Sequence, residues 1–563
     1  MQSESVASRY LSLLAERGIS HLFVNAGTDF APLVEAYARS GDAQGPALPA
    51  PVLCTHENLA VGMAHGAYLV SGRPQAVMFH VSVGTANAVC AVTNAARDNV
   101  PLLVTAGRTP ILEDGALGAR DTHIHWAQEM FDQAGMLREL VKWDYELRDP
   151  RQVHQVVDRA LSMATSHPRG PVYLSLPREV LAEQMPDADA GARRTAVPVA
   201  VEPESSAIEE LAGRIAAARC PVIVTSASGC EPDSVAVLAD LADRFAIGIA
   251  EMMPRYLNAP MDHELHLGTQ MQSIFDAADL IVFLECDVPW IAARAAPRPE
   301  TFIVQAGTDP LYSRYPMRTH RSDLTLAATP TALLTGLADA LASRAGQVDP
   351  DRRARLVELA RRGKAAIAKL KAAEAEREGT ITRAGLSAVL GDALDDETVI
   401  FNEYWGVPEL LGRRQPGTYF YLPPAGGLGW GLPAALGAKQ AAPEKTVVAA
   451  VGDGAYLFAN PAACHHAAAK HGLPVLTVIA NNASWGAVDF ATRAVYPDGS
   501  AVQSGERRLS DLSPAPAFEA YCEASGGFGE RVTEPSALAP AVERALKAVR
   551  DEGRQALLNV ACV

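Results

Sequence analysis

The sequence lacks the features expected of a membrane or disulfide-stabilised secreted protein. No stretch approaches the roughly 20 apolar residues that a membrane-spanning helix needs. The first residues have no basic segment followed by an apolar core, which is the pattern of a signal peptide. None of the eight cysteines forms a Cys-x-x-Cys pair, as expected for reduced thiols. We therefore expect a cytoplasmic protein with no membrane contact.

Positive charge is also in short supply. The chain has 49 lysines and arginines against 65 aspartates and glutamates, which gives a formal net charge of −16. This excess of acidic residues argues against general binding to nucleic acid. It says little about the substrate, because an acidic protein can still have a local basic pocket. With 48% hydrophobic and 20% charged residues, the composition is that of an ordinary globular protein. A chain of 563 residues is too long for one core.

Short apolar runs alternate with helical patterns along the whole chain. Buried parallel strands joined by helices have this appearance, so the predicted fold class is α/β with three doubly wound parallel-sheet domains. We place the domains at residues 1–186, 204–343 and 375–563. The segment between residues 187 and 204 is rich in Ala, Pro and Asp, as a linker would be. The charged stretch 351–379 is predicted to be a solvated connecting helix.

The strongest motif lies in the last domain. The apolar run KTVVAAV leads directly into Gly452-Asp453-Gly454, and the later run LPVLTVIA ends in Asn481-Asn482. In a parallel sheet both loops open at the carboxyl edge, so Asp453 and Asn482 can face one ligand. The glycines let the backbone approach a phosphate, and carboxylate and amide oxygens suit Mg²⁺. The pattern predicts a phosphate and Mg²⁺ site; the alternative is two unrelated turns.

This pattern resembles the diphosphate-binding motif of the thiamine-diphosphate enzyme superfamily, although the gap between its halves is slightly longer than in typical members. The resemblance implies a Mg²⁺ ion held by Asp453, Asn482 and the backbone carbonyl of Ser484. It also implies that the diphosphate end of the cofactor lies against Gly452, Gly454, Ala455 and Trp485.

A second requirement of this superfamily is a glutamate just after a strand of the N-terminal domain. That glutamate binds the pyrimidine ring of the cofactor and activates it by proton transfer. Here Glu57 follows the apolar run PVLC within Thr55-His56-Glu57. A glutamate at a helix N-terminus also stabilises the helix dipole, which is the alternative explanation. Beside the diphosphate motif, we expect the catalytic role.

The glycine-rich stretch PPAGGLGWG precedes the diphosphate motif by a short interval. By resemblance, the carbonyl of Gly426 accepts a hydrogen bond from the pyrimidine, and Leu428 holds the cofactor in its bent shape. A dinucleotide-binding fingerprint is the alternative. We discount it because no strong strand leads into these glycines and no acidic residue follows at the required distance.

The segment Phe79-His80-Val81 distinguishes branches of the superfamily. A histidine here is similar to benzoylformate decarboxylase, whereas acetolactate synthases have a glycine-proline-glycine turn. His80 is therefore a candidate proton carrier, and a buried structural histidine is the alternative. After the first strand, Thr28 or Asp29 is expected to face the substrate; Thr28 aligns better, and a shift of one residue selects Asp29.

The resemblance covers essentially the whole chain but leaves the reaction open. We expect a 2-oxo-acid decarboxylase or carboligase acting on a small 2-oxo acid or aldehyde. Cleavage of a 2-hydroxyacyl-CoA is the alternative, because Asp287-Val288-Pro289-Trp290 resembles that branch. A non-catalytic scaffold is a remote third alternative, which the retention of Glu57 and Asp453 disfavours.

FAD, used structurally by acetolactate synthases, has no recognisable motif and is not expected. The resemblance also implies a homodimer or homotetramer with active sites at subunit interfaces.

Overall fold

The structure, a computed structural model, describes residues 4–40, 48–186 and 196–563. Residues 187–195 of the predicted linker lie outside the described residues. Three sheets with flanking helices confirm the predicted α/β fold class. Within the described ranges, no helix combines the length and apolarity needed to cross a bilayer. The predicted domain boundaries stay a prediction.

The first sheet has six strands in the order β2-β1-β3-β4-β6-β5. The strands are β1 (His21–Val24), β2 (Ala50–Leu53), β3 (Gln75–Phe79), β4 (Leu102–Arg108), β5 (Asp144–Glu146) and β6 (Val172–Pro177). Every neighbouring pair is parallel. The central strands are buried along almost their whole length, which explains why they read as continuous apolar runs.

The second sheet has five strands in the order β11-β10-β9-β7-β8, again with parallel pairs. They are β7 (Pro221–Thr225), β8 (Gly248–Glu251), β9 (Leu280–Leu284), β10 (Phe302–Gly307) and β11 (Leu324–Ala327). The third sheet has six strands: β12 (Val399–Glu403), β13 (Tyr419–Tyr421), β14 (Val447–Gly452), β15 (Leu476–Asn481), β16 (Phe528–Val532) and β17 (Ala556–Ala561). The pairs β12–β13 and β14–β15 are parallel.

The chain divides into two compact units. Unit 1 comprises Met1–Pro198, Leu422–Arg531 and Arg544–Asn559, and unit 2 comprises Val199–Tyr421, Val532–Glu543 and Val560–Val563. Unit 1 contains the first sheet and most residues of β14 to β17, so both predicted cofactor motifs belong to it.

The helices alternate with the strands in chain order. Those before residue 199 are α1 (Val6–Glu16), α2 (Ala31–Ser40), α3 (Glu57–Ser71), α4 (Val81–Arg97), α5 (Ile124–Ala127), α6 (Val153–Thr165) and α7 (Arg178–Ala182). Those between residues 199 and 421 are α8 (Ser205–Ala217), α9 (Pro232–Phe245), α10 (Met271–Ala277), α11 (Pro330–Ala342), α12 (Arg352–Ala375), α13 (Arg383–Ala393) and α14 (Pro408–Leu411). The remaining ones are α15 (Gly431–Ala441), α16 (Asp453–Phe458), α17 (Pro461–His471), α18 (Gly486–Val495), α19 (Ser500–Ser504), α20 (Phe518–Glu523) and α21 (Pro535–Arg550).

The predicted connecting helix is α12, and it is solvated along most of its length. Its first turn differs from that expectation, because Arg352 is fully buried in unit 2. The Arg352 guanidinium donates hydrogen bonds to the carbonyls of Ile215 and Phe245, at the ends of α8 and α9. Arginine's five donors allow one side chain to satisfy several helix-terminal carbonyls.

Helices α3 and α15 pack closely within unit 1, and glycines make this possible. A Cβ atom on Gly66 would lie 1.8 Å from the carbonyl oxygen of Ala434, and one on Gly437 would lie 1.8 Å from that of Met63. Neither position therefore has room for a side chain. Because Glu57 begins α3 and the glycine-rich loop leads into α15, this contact fixes two predicted site elements relative to each other.

Candidate active site

Asp453, Asn482 and Ser484 come together at the carboxyl ends of β14 and β15. The Ser484 amide donates to Asp453 Oδ2 at 3.3 Å and to Asn482 Oδ1 at 3.0 Å. Asp453 Oδ1 accepts from the Gly454 amide at 2.9 Å. The two strands are parallel neighbours in register, so their following loops must open at the same edge. The structure thus brings together the three residues predicted to hold the metal, with the Ser484 amide making the contacts described here; the metal site stays a prediction.

The Asp453 carboxylate is buried, with 3% of the residue exposed. Burial raises its pKa above the usual value, although hydrogen bonds from backbone amides, including those of Gly454 and Ser484, oppose this rise. A buried carboxylate is costly unless a cation compensates it. Among the described residues, no three His, Cys, Asp or Glu side chains cluster as a metal site. An ion at Asp453 would therefore depend on amide, carbonyl and external oxygens, as Mg²⁺ commonly does.

The backbone beside this carboxylate is open on one side and covered on the other. A Cβ atom on Gly452 would have no neighbour within 4 Å, so the backbone there is accessible. A Cβ atom on Gly454 would lie 2.3 Å from the Trp485 ring, so Trp485 packs directly on the backbone of Gly454. Ala455 is buried in the first turn of α16, whose N-terminal amides favour an anion.

Glu57 is the first residue of α3 and is 7% exposed. Its carboxylate accepts a hydrogen bond from Asn87 Nδ2 at 3.1 Å. A Cβ atom on Gly84 would lie 3.2 Å from Glu57 Oε1, so α4 approaches the carboxylate closely. Sequence reasoning did not identify Asn87. Helix α4 contains other polar residues, among them Thr85 and Asn94, so the pattern did not single out Asn87.

The glycine-rich loop is held by an asparagine of the first domain. Asn94 Nδ2 donates to the Gly427 carbonyl at 2.8 Å, and the Gly427 amide donates to Asn94 Oδ1 at 3.0 Å. Gly426 has a φ of +64°, which glycine adopts without strain. Leu428 is half-buried and faces α3 and α4, beside Asn58 and Cys90. The Asn94 side chain therefore holds the backbone of this loop at Gly427.

His80 and Asp29 form a close pair at the carboxyl end of the first sheet. His80 Nδ1 lies 2.6 Å from Asp29 Oδ1, and the Val81 amide donates to Asp29 Oδ2 at 3.4 Å. The hydrogen bond that His80 donates to Asp29 is the main cause that raises the pKa of His80, against the effect of burial. Val81 has a φ of +35°, which is unfavourable for a β-branched residue.

Two glycines make room for this pair. A Cβ atom on Gly27 would lie 2.2 Å from the His80 ring, and one on Gly107 would lie 1.6 Å from Asp29 Oδ2. Thr28 is exposed, and its carbonyl accepts a hydrogen bond from Arg178 at 3.5 Å. Of the two predicted alternatives, the structure therefore brings Asp29 to His80. The role of Thr28 toward a substrate stays a prediction.

Gln128, which sequence reasoning missed, is the second partner of His80. Its Nε2 atom lies 3.3 Å from His80 Nε2, and its carbonyl accepts from Ser82 Oγ at 2.6 Å. Gln128 lies just after the short helix α5, in a largely irregular connection between β4 and β5. No periodicity marks that connection, so the sequence offered no signal for this residue.

Unit 2 contains the stretch that resembles CoA-dependent lyases. Asp287 is buried and pairs with Arg255 at 2.9 Å, and Tyr315 donates to it at 3.0 Å. Arg255 holds the pKa of Asp287 below its usual value against the effect of burial. Trp290 packs edge-on against His320, with ring centroids 4.7 Å apart. These contacts give Asp287 and Trp290 a structural explanation within unit 2.

An open cavity of about 450 Å³ also lies in unit 2. Methionines, prolines, tyrosines and other apolar side chains form most of its wall, and Arg294 is the charged residue that lines it. Thr269, Gln270 and Gln272 add polar groups to the wall. The prediction that FAD is not bound stays a prediction.

Two models of known protein families match the chain. The thiamine pyrophosphate enzyme N-terminal TPP binding domain matches residues 5–136, and the corresponding C-terminal TPP binding domain matches residues 405–560. Thiamine pyrophosphate is the same compound as thiamine diphosphate. These ranges contain every candidate residue from Thr28 to Trp485 discussed above for unit 1.

Individual relatives align over almost the whole chain. Benzoylformate decarboxylase from Pseudomonas aeruginosa is 28% identical, with 99% of this chain and 98% of the relative covered. A probable acetolactate synthase from Mycobacterium bovis is 25% identical, with 90% and 87% covered. The structure of a Rhodococcus jostii thiamine-diphosphate-dependent 4-hydroxybenzoylformate decarboxylase covers 99% of each chain with a TM-score of 0.77 at 22% identity, which shows the shared fold. The chain belongs to the thiamine pyrophosphate enzyme family, as an enzyme of the decarboxylase and acetolactate synthase type.

Proposed function

We propose that this enzyme is a 2-oxo-acid decarboxylase that can also act as a carboligase on small 2-oxo acids and aldehydes. The observation that carries this proposal is the His80–Asp29 pair at the carboxyl edge of the first sheet. A histidine fixed in one tautomer by a carboxylate is suited to deliver and recover a proton. Decarboxylation leaves a carbon that must receive a proton before an aldehyde is released.

The cofactor would be held by two clusters in unit 1. Asp453, Asn482 and the Ser484 carbonyl would hold Mg²⁺, which in turn binds the diphosphate, and Glu57 would face the pyrimidine. Bound thiamine diphosphate supplies an electron sink for cleavage next to a carbonyl carbon. The metal cluster of one subunit would meet Glu57 of another subunit across a two-fold interface, so a homodimer would be the smallest active form.

His80 would move the proton, and Asp29 would hold it in place. Because Asp29 Oδ1 accepts from Nδ1, the other ring nitrogen, Nε2, is the atom that exchanges a proton with the substrate. The negative charge of Asp29 favours the protonated ring, and so raises the pKa of His80. The ring is thereby kept as an acid over a wider range of pH.

His80→Ala is expected to lower the rate of aldehyde release by roughly 10²–10⁴-fold, the usual contribution of a positioned acid–base group. Cofactor affinity should hardly change, because Asp453 and Glu57 are intact. Ligation should be spared relative to aldehyde release, since the acceptor carbonyl takes the place of the proton. The measurement compares aldehyde and ligated products from a series of 2-oxo acids.

His21→Ala is the matched control, because His21 begins the strand whose other end leads to Asp29. Equal activity of His80→Ala and the wild type on every productive substrate would make His80 structural. A parallel series of 2-hydroxyacyl-CoA esters tests the alternative reaction. Turnover of these esters without turnover of any 2-oxo acid would overturn the decarboxylase assignment.

The rate of aldehyde release should fall as pH rises through the pKa of His80, because only the protonated ring can act as the acid. Asp29→Asn removes the main cause of the raised pKa, so this alkaline limb should move to lower pH, by about 1–3 pH units. The measurement is kcat/KM against pH for both proteins. An unchanged alkaline limb would show that the His80–Asp29 pair does not control the limb.

A further inference from the structure

We infer that Gln128 is a positioning residue: until a substrate takes its place, it partners His80 Nε2 in both protonation states of the ring by turning its side-chain amide. This inference rests on the proposed function, in which Nε2 exchanges the proton. It assigns a role to a residue that has neither a motif nor a strand or helix of its own.

The pairing with Asp29 determines what Nε2 can do. The proton on Nδ1 is shared with Asp29 Oδ1 across 2.6 Å, so the neutral ring carries a bare lone pair at Nε2. Gln128 Nε2, 3.3 Å away, can donate to that lone pair. In this state the amide oxygen of Gln128 points elsewhere.

Gln128 Oε1 is buried and has no hydrogen-bond partner among the described residues. A buried acceptor without a donor is costly, so such an atom calls for an explanation. When His80 is protonated, Nε2 carries a hydrogen and needs an acceptor. Half a turn of the Gln128 side-chain amide brings Gln128 Oε1 to His80 Nε2. The oxygen then accepts a hydrogen bond from the protonated ring, so both atoms have a partner.

The backbone of Gln128 is held beside the same helix that His80 precedes. The backbone carbonyl of Gln128 accepts from Ser82 Oγ at 2.6 Å, and its backbone amide donates to the Ile124 carbonyl at 2.9 Å. His80 is the N-cap residue of α4, and Ser82 lies in the first turn. The side-chain amide of Gln128 can therefore turn without the residue moving away from the His80 ring.

Three other ionisable groups face His80 from the elements around it. Asp29, before α2, and Glu57, at the start of α3, both raise the pKa of His80. His125, on α5, has a lowered pKa, mainly because of burial, and the charge of His80 contributes. When Oε1 of Gln128 faces Nε2, the hydrogen bond favours the protonated ring and so raises the pKa of His80 as well. A hydrogen bond to a charged ring is stronger than one to a neutral ring, so loss of the amide penalises the protonated state more.

The test is a direct titration of His80 by NMR in the full-length protein with isotope-labelled histidine rings. The chain has 14 histidines, so the His80 signal is assigned by its absence from His80→Ala. We expect Gln128→Leu to lower the pKa of His80, and Gln128→Glu to raise it by about one pH unit or more through a permanent acceptor with negative charge. The alkaline limb of kcat/KM should move in the same order, with Leu below wild type and Glu above.

Gln152→Leu is the control, because Gln152 is a half-buried glutamine of unit 1 whose contact is with Tyr145. If the pKa of His80 is the same in the wild type, Gln128→Leu and Gln128→Glu, the inference is overturned. It is also overturned if Gln152→Leu changes the pKa of His80 as much as the Gln128 variants do. Melting temperatures show that each variant is folded. The titration needs no substrate, so it stands if the enzyme proves to use a different reaction. Decarboxylation with an unmoved His80 pKa would refute the role of Gln128 alone.

Discussion

Asp453→Ala is expected to abolish the binding of thiamine diphosphate and Mg²⁺ while the fold is retained. The carboxylate is buried and accepts hydrogen bonds from the Gly454 and Ser484 amides, so alanine removes the charged ligand of the proposed metal site and leaves only neutral oxygens to hold a cation. A ligand at a hundredfold excess over its dissociation constant stabilises the native state by about 2.7 kcal/mol. The wild type should therefore melt at a higher temperature with both compounds, and the variant should show no such increase.

Asp551→Ala provides the matched control, because Asp551 is an exposed carboxylate at the end of α21. The measurements are melting temperature and calorimetric titration with each compound alone and with both. Undiminished affinity of Asp453→Ala for thiamine diphosphate in the presence of Mg²⁺ would disprove the proposed metal site. If the two compounds left wild-type melting and activity unchanged, the cofactor assignment itself would fail.

Glu57→Gln is expected to bind cofactor normally and yet fail to activate it. The amide keeps the size of the side chain and can still accept from Asn87, but it cannot exchange a proton with the pyrimidine. Hydrogen–deuterium exchange at the reactive carbon of bound thiamine diphosphate should slow toward the roughly 10⁴-fold upper limit of acid–base catalysis. Turnover should be lost with it.

The exchange is followed by NMR after acid quenching at short times. Glu35→Gln, on the exposed face of α2, should exchange at the wild-type rate and gives the control. Wild-type exchange in Glu57→Gln would exclude the proposed proton transfer. Loss of cofactor affinity instead of exchange would assign Glu57 to binding rather than activation.

The parts of the site that follow a strand directly could be predicted from the sequence. Asp453 and Asn482 lie at the ends of two apolar runs, and Glu57 follows a third. Parallel strands bring such positions to the same edge of their sheet, so local pattern is sufficient to group Asp453 with Asn482. The fold class followed in the same way, because buried strands and helices alternate with a recognisable rhythm.

The contacts that set the chemistry of His80 could not be predicted in this way. The choice between Thr28 and Asp29 depends on the turn after β1, where a shift of one residue changes which side chain points inward. Gln128 is 48 residues from His80, in a connection without periodicity. Asn94 is 333 residues from Gly427.

The sequence by itself determined the fold class, the cofactor motifs and the presence of a histidine after β3, because each depends on residues within one strand–loop–helix unit. The tertiary structure decided which carboxylate holds His80, which amide faces its other nitrogen and which asparagine holds the glycine-rich loop. These are contacts between segments distant in the chain, and hydrogen bonding there depends on atomic positions that only packing fixes.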